Sequence, residues 1–224
     1  VGSAARAIRA GEAGLMLAGG VESMSRAPFV MPKATAAFAR NNAVFDTTIG
    51  WRFVNPLMKA QHGADSMPET AENVAKDFGI SRADQDAMAL ASQTKALAAQ
   101  AKGLFKDEIT PVRIAQRTGD DVVVDTDEHP RATTPESLAK LKPVVFDGGT
   151  VTAGNASGVN DGACALLLAS GAQAKAFGLV PKARAVAMPT VAVPPRTMGM
   201  GPSPAVRKVL AVASVGFSAV DASV

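Results

Sequence analysis

Tyrosine is absent from this sequence, tryptophan occurs once, and aromatic residues make up only 4% of it. Base stacking has little to work with, and Lys and Arg are spread out with no block of like charge. A nucleic-acid partner is therefore not expected. Cysteine occurs once, as Cys164. That excludes a disulfide framework and points to a reducing cytoplasm. The only histidines are His62 and His129. No His, Cys and carboxylate cluster stands at ligand spacing, so no metal is expected. No apolar run reaches the length of a membrane span and no signal segment opens the chain, so no membrane partner is expected.

What is present is a chain of 224 residues, 47% hydrophobic and 19% charged. This is ordinary for a globular protein and fits one large domain or parts of two. Ala, Val and Leu supply most of the apolar material, which suits close packing of helix on sheet. The net charge of +3 favours, at most, a small anionic ligand. The chain opens without Met, directly in a helical pattern at Val1, Ala4, Ala5 and Ile8 with no capping residue before it. It ends at Val224 with no stop signal. The pattern reads as an internal piece of a longer protein.

Residues 1–10 form a helix stopped by Gly11. The apolar run Leu15–Ala18 before Gly19 and Gly20 has the look of a strand from a buried parallel sheet. Residues 22–68 have no sustained period and hold Pro28, Pro32, Pro56, Pro68 and Trp51. That is too long for a plain connection. Residues 69–78 are helical. Ser81 and Asp84 form a capping box for the next helix. Ala87, Leu90, Ala91, Thr94, Leu97, Ala98 and Ala101 make its inner face, and Gly103 ends it. Strands are expected at 108–115 and 122–124 around Gly119 and Asp120. Thr134 and Pro135 start a short helix to Leu141. Residues 163–169 read as another buried strand, 172–177 as helix, 184–193 mostly as strand, and 203–213 as helix. The order predicts an α/β fold in layers with a long insertion.

Cys164 lies in an apolar strand, where burial raises a thiol pKa and leaves it inert, so it is read as core packing. His129 stands in a polar, solvent-facing loop and His62 in the irregular excursion. Neither is assigned a catalytic role. Met24, Met67, Met198 and Met200 fall in loops beside Gly and Pro, where they either line a flexible pocket or fill the core. The segment Gly148–Gly162 is rich in Gly, Asn, Ser and Thr. Such a stretch lets a ligand approach the backbone or simply makes a tight corner. It is neither a P-loop nor a dinucleotide fingerprint.

The run Thr152-Ala153-Gly154-Asn155-Ala156-Ser157-Gly158-Val159-Asn160-Asp161-Gly162-Ala163 resembles the segment that opens the C-terminal half of the thiolase family. Ala18-Gly19-Gly20-Val21-Glu22-Ser23-Met24-Ser25 resembles the strand end and loop after the nucleophile helix. Ser66-Met67-Pro68-Glu69-Thr70-Ala71-Glu72-Asn73-Val74-Ala75 resembles the start of the loop domain. Met198-Gly199-Met200-Gly201-Pro202-Ser203-Pro204-Ala205 resembles a later pocket loop. All four stand in family order. The stretches Ser25–Met31 and Phe45–Val54 lean towards the branch that acts on β-ketoadipyl-CoA.

The resemblance implies a thiolase fold, α-β-α-β-α in layers and incomplete, with three segments. Residues 1–24 end the N-terminal half, 25–145 form a loop domain that covers CoA and joins subunits, and 146–224 begin the C-terminal half. It implies thiolytic cleavage of a 3-oxoacyl-CoA to acetyl-CoA and a shortened acyl-CoA such as succinyl-CoA. CoA thioesters are the partners, CoA is a substrate and no separate cofactor is implied, and the assembly is a homodimer or homotetramer. None of the family's catalytic residues falls within the chain. The nucleophilic Cys would precede Val1, and the Asn-Glu-Ala-Phe, Gly-His-Pro and Cys-x-Gly stretches would follow Val224. By itself the chain is expected to be inactive.

What carries over is binding. Ser157 and Ala153 match positions at the pantetheine arm, Met67 and Met198 line the acyl pocket, and Phe146 contacts CoA. Arg131 matches a cation near the nucleotide phosphates. Ser66 stands where some biosynthetic members have His, which favours a degradative substrate over acetoacetyl-CoA. The rival readings are an acetyl-CoA acetyltransferase, which shares most of the frame, a non-catalytic CoA- or lipid-binding relative, and, from another branch, a chain-building condensing enzyme. The Thr152–Gly158 motif and the long loop domain argue against the last.

Overall fold

The computed structural model describes residues 1–220. Helices and short strands follow one another along the chain as α1 (Gly2–Ala10), β1 (Leu15–Glu22), β2 (Phe29–Val30), β3 (Phe45–Asp46), α2 (Pro56–His62), α3 (Met67–Phe78) and α4 (Arg82–Ala101). Then come β4 (Val112–Ile114), β5 (Val122–Val124), α5 (Pro135–Ala139), β6 (Gly162–Ala169), α6 (Gly171–Ala176) and α7 (Pro202–Ala213). The chain divides into two compact units. One is made of Val1–Ser66 with Val159–Val224, the other of Met67–Gly158. The last four residues of the expected segment 146–224 lie outside the described residues.

The first unit is organised on a ribbon of β1 and β6. Leu15 pairs with Ala169 and Glu22 with Gly162, antiparallel throughout. The expectation of a buried parallel sheet is corrected on both counts. Among the described residues the ribbon has two strands only, and much of it is open to solvent. α1 and α6 pack against it, α6 following β6 directly. They leave Leu17, Leu166 and Leu167 exposed. β1 also runs on through Gly19 and Gly20 instead of stopping there.

Beyond the Gly20 end, the Ser25 amide and hydroxyl both donate to the Asp161 carboxylate, at 2.8 and 2.5 Å. These two charge-assisted bonds hold Asp161 below the usual aspartate range, the hydroxyl contributing more than the amide. Residues 184–193 do not form a strand, and among the described residues no strand pairs with them. Their carbonyls are used by α1 instead. Arg6 donates to Met188 O at 2.6 Å, and Arg9 donates to Ala185 O and Val186 O.

The second unit is built from α3, α4, the β4–β5 hairpin and α5. The capping box is formed as its spacing predicts. The Ser81 hydroxyl accepts from Asp84 N at 3.1 Å, and the Asp84 carboxylate accepts from the Ser81 amide and hydroxyl. The inner face of α4 matches the expected one only at Leu90 and Leu97, which are half-buried. Ala87, Ala91, Thr94, Ala98 and Ala101 are exposed, while Arg82, Gln85, Asp86, Gln93 and Gln100 turn inward. The physical reason is that loop backbones take up polar side chains of this face, beside the half-buried Ala89, Leu90, Ala96 and Leu97. Gln93 accepts from Arg131 N at 2.9 Å, and Gln100 donates to Asp127 O at 3.1 Å. No helix among the described residues is long and apolar enough to cross a membrane.

Candidate functional site

The Gly-rich segment is where the second unit is most tightly built. Glu72, from α3, is a carboxylate only 7% exposed. Burial on that scale demands compensation, and the loop supplies three donors. Thr150 N donates to Glu72 Oε1 at 2.6 Å, Val151 N to the same oxygen at 2.7 Å, and the Thr150 hydroxyl to Oε2 at 2.9 Å. Gln85, from α4, donates to that hydroxyl at 2.9 Å. A Cβ on Gly149 would lie 2.6 Å from Glu72 Oε1, so glycine is what lets the backbone come this near.

On the other side, Asn155 closes the turn. Its Oδ1 accepts from Thr152 N at 2.7 Å, and its Nδ2 donates to Thr150 O at 3.0 Å and to Asp86 Oδ1 at 2.9 Å. Asp86 is balanced by Arg82 one turn earlier, whose Nε lies 2.8 Å from Oδ2. The same guanidinium donates to Leu138 O at 2.6 Å and Leu141 O at 3.2 Å, drawing α5 into the cluster. Leu138 and Leu141 then fill the space beside Gly154, where an added Cβ would meet their methyl carbons at 2.6 and 2.5 Å. Thr152 is fully buried at the centre.

The residues singled out by sequence divide between the units. Ala153 and Ser157 sit together on this loop, both exposed. Phe146 opens the same stretch with its ring more than half exposed, and its carbonyl accepts from Gly149 N at 3.0 Å. Met67 begins α3, the helix that carries Glu72, and is 65% exposed. Arg131 lies in the second unit too, exposed, its Nε donating to His129 O at 3.3 Å. Met198 and Ser66 belong to the first unit, Met198 in the 3-10 turn Pro195–Met200.

Neither Met67 nor Met198 fills a core. Met67 lies on a helix and Met198 and Met24 on 3-10 turns, not in plain loops. Cys164 is exposed, not packed, since nothing among the described residues covers that end of β6. His129 is half-buried, not fully solvent-facing. A cleft of about 390 Å³ in the first unit, between Pro32 and Ala43, includes none of the seven residues.

Sequence reasoning missed Glu72, Asp86 and Arg82 as parts of this site. The Arg82–Asp86 spacing of four on a helix was an available signal. Glu72 had none, because its partners lie 78 and 79 residues away.

Comparison with known proteins adds a second line of observation. Residues 1–172 match the family model of the thiolase N-terminal domain. The β-ketoadipyl-CoA thiolase of Pseudomonas putida is 60% identical over 222 residues, which cover 99% of this chain and 55% of that protein. The acetyl-CoA acetyltransferase of Pseudomonas aeruginosa is 46% identical, over 97% of this chain and 54% of that protein. The crystal structure of the Bacillus anthracis acetyl-CoA acetyltransferase superposes with a TM-score of 0.85 at 40% identity, covering 98% of this chain and 54% of the other. The chain thus spans about half the length of the curated relatives it matches.

Proposed function

The chain belongs to the thiolase family and has its α/β fold, and from that premise we propose that its protein is an acyl-CoA C-acyltransferase cleaving β-ketoadipyl-CoA with CoA. The products are acetyl-CoA and succinyl-CoA. The observation that carries this is the 60% identity to a β-ketoadipyl-CoA thiolase over nearly the whole chain, against 46% to an acetyl-CoA acetyltransferase. Ser66, in place of a histidine, supports the same substrate.

In this reading the chain binds and does not take the covalent step. Ala153 and Ser157 meet the pantetheine arm, Phe146 packs on CoA, and Met67 and Met198 border the acyl group with Ser66. Arg131 meets the nucleotide phosphates as a fixed cation. Cys164 takes no part. Thiolysis needs a low-pKa thiolate, a base and oxyanion donors. These belong to the intact enzyme and not to the seven residues named. Residues 1–24 finish the N-terminal half, 25–145 form the covering domain and 146–224 open the C-terminal half. The separately packed unit Met67–Gly158 supports an insertion, although its ends fall later than 25 and 145. The enzyme works in the cytoplasm as a homodimer or homotetramer and needs no separate cofactor.

The test is a thiolysis assay on the intact protein that carries this chain, with β-ketoadipyl-CoA and acetoacetyl-CoA as competing substrates and products separated chromatographically. At least tenfold higher kcat/KM for β-ketoadipyl-CoA is expected, on the order of 1.4 kcal/mol of discrimination. Preference for acetoacetyl-CoA would replace the reading with an acetyl-CoA acetyltransferase. Binding of CoA without turnover of either would make the protein a non-catalytic relative.

A further inference from the structure

We propose that Glu72 is a positioning residue for CoA, setting the backbone of Thr150 and Val151 so that the following loop presents Ala153 and Ser157 to the pantetheine arm. This rests on the CoA reading above and adds to it a residue that touches no substrate. One carboxylate receives three donors, two of them consecutive backbone amides. Amides that converge on one anion fix the dihedral angles between them, and charge-assisted bonds of this kind are the strong ones.

The sequence on the loop side is matched to the carboxylate. Gly149 permits the approach, Thr150 adds a hydroxyl, and Gln85 orients that hydroxyl from behind. At the far end Asn155 performs the same task through Asp86. Residues 150–155 are thus held at both ends by carboxylates from two helices. Ala153 lies between the ties and Ser157 just beyond them, and neither is a tie itself. Side chains that bind a flexible, mostly uncharged arm depend on being held in place beforehand, because ordering a loop on binding costs affinity.

The experiment compares wild type, Glu72→Gln and Glu72→Ala in the intact protein. Glu72→Gln preserves volume and one carbonyl oxygen for the two amides. It replaces the oxygen that accepts the Thr150 hydroxyl with a donor. CoA affinity is read by calorimetry, KM and kcat by thiolysis, and folding by thermal melt.

For Glu72→Gln, the expected result is a KM and Kd for CoA raised about threefold to tenfold with kcat within about twofold, the signature of lost binding that ground state and transition state share. Glu72→Ala shifts both further, if it folds. A Glu72→Gln protein that melts earlier but keeps wild-type KM and Kd would make Glu72 a structural residue only and overturn the proposal. Wild-type protein that neither binds nor turns over a CoA thioester would overturn the CoA reading and this inference together. Wild type that binds, with Glu72→Gln matching it, overturns the inference alone.

Discussion

Asn155 donates through Nδ2 to Asp86 Oδ1 at 2.9 Å, across 69 residues of sequence. The same side chain accepts from the amide of Thr152, a residue with no solvent exposure. Replacing Asn155 with Ala leaves that amide buried without an acceptor. A loss of about 1–3 kcal/mol is expected, read as a lower urea midpoint with unchanged slope. Asn155→Asp keeps the acceptor but places a second carboxylate against Asp86, so it is expected to destabilise as well. A wild-type midpoint for Asn155→Ala would show that the tie contributes nothing.

Glycine substitutions separate packing from chain flexibility. Gly154→Ala pushes a methyl against Leu138, which is 3% exposed, and against Leu141. Overpacking of this kind costs about 1–3 kcal/mol. Gly171→Ala, at the start of α6, meets nothing within 4 Å and is expected to be neutral or to stabilise. Equal melting temperatures for the two variants would contradict this account.

Acid should loosen two ties. Asp84 and Asp161 both lie below the usual aspartate range, each mainly through a serine hydroxyl, Ser81 and Ser25, and next through that serine's amide. A carboxyl depressed in the folded state adds stability above its unfolded pKa, about 3.9, and loses it as pH falls through the folded value. Both ties are therefore intact at neutral pH and weaken only below about pH 4. Carboxyl chemical shifts followed by NMR should titrate late for both residues, and Ser25→Ala should return Asp161 towards the ordinary midpoint while leaving Asp84 unmoved.

Cys164 is exposed on β6, opposite Gly20. In the 224-residue chain it should react with a maleimide without denaturant, to one equivalent by mass spectrometry. Protection until urea is added would show that this end of the ribbon is covered in solution.

Most helices were legible because their start and stop signals are local. Ser81 with Asp84, Thr134 with Pro135, and the glycines after α1 and α4 all act within one turn. The inner face of α4 was legible only at Leu90 and Leu97, because the small-residue stripe at Ala87, Ala91 and Ala98 mimics an apolar face while the helix turns Asp86 towards the Asn155 side chain and Gln93 and Gln100 towards loop backbones. β1 and β6 were found as strands, yet their apolar runs misled as to direction and burial. A continuous Val and Leu run is what a fully covered strand looks like, whichever way its neighbour points. The loop at 148–162 was recognised by its small residues, but its anchor Glu72 carries no local mark.

The Ser25–Asp161 pair spans 136 residues and stands beyond the far end of the β1–β6 ribbon. The ribbon is thus a long loop closed on itself, and its formation carries the entropy of bringing distant chain ends together, a cost that rises only with the logarithm of loop length. Much of what lies inside that loop, including the hairpin and the helices α3 to α5, is made of nearer contacts. Compacting the interior first shortens the effective loop. Nearby contacts should therefore lead and ribbon closure should come late in folding. A lesion in β1 would then be felt chiefly in how long the ribbon stays closed, and one in the Glu72 or Asp86 tie in how readily it closes.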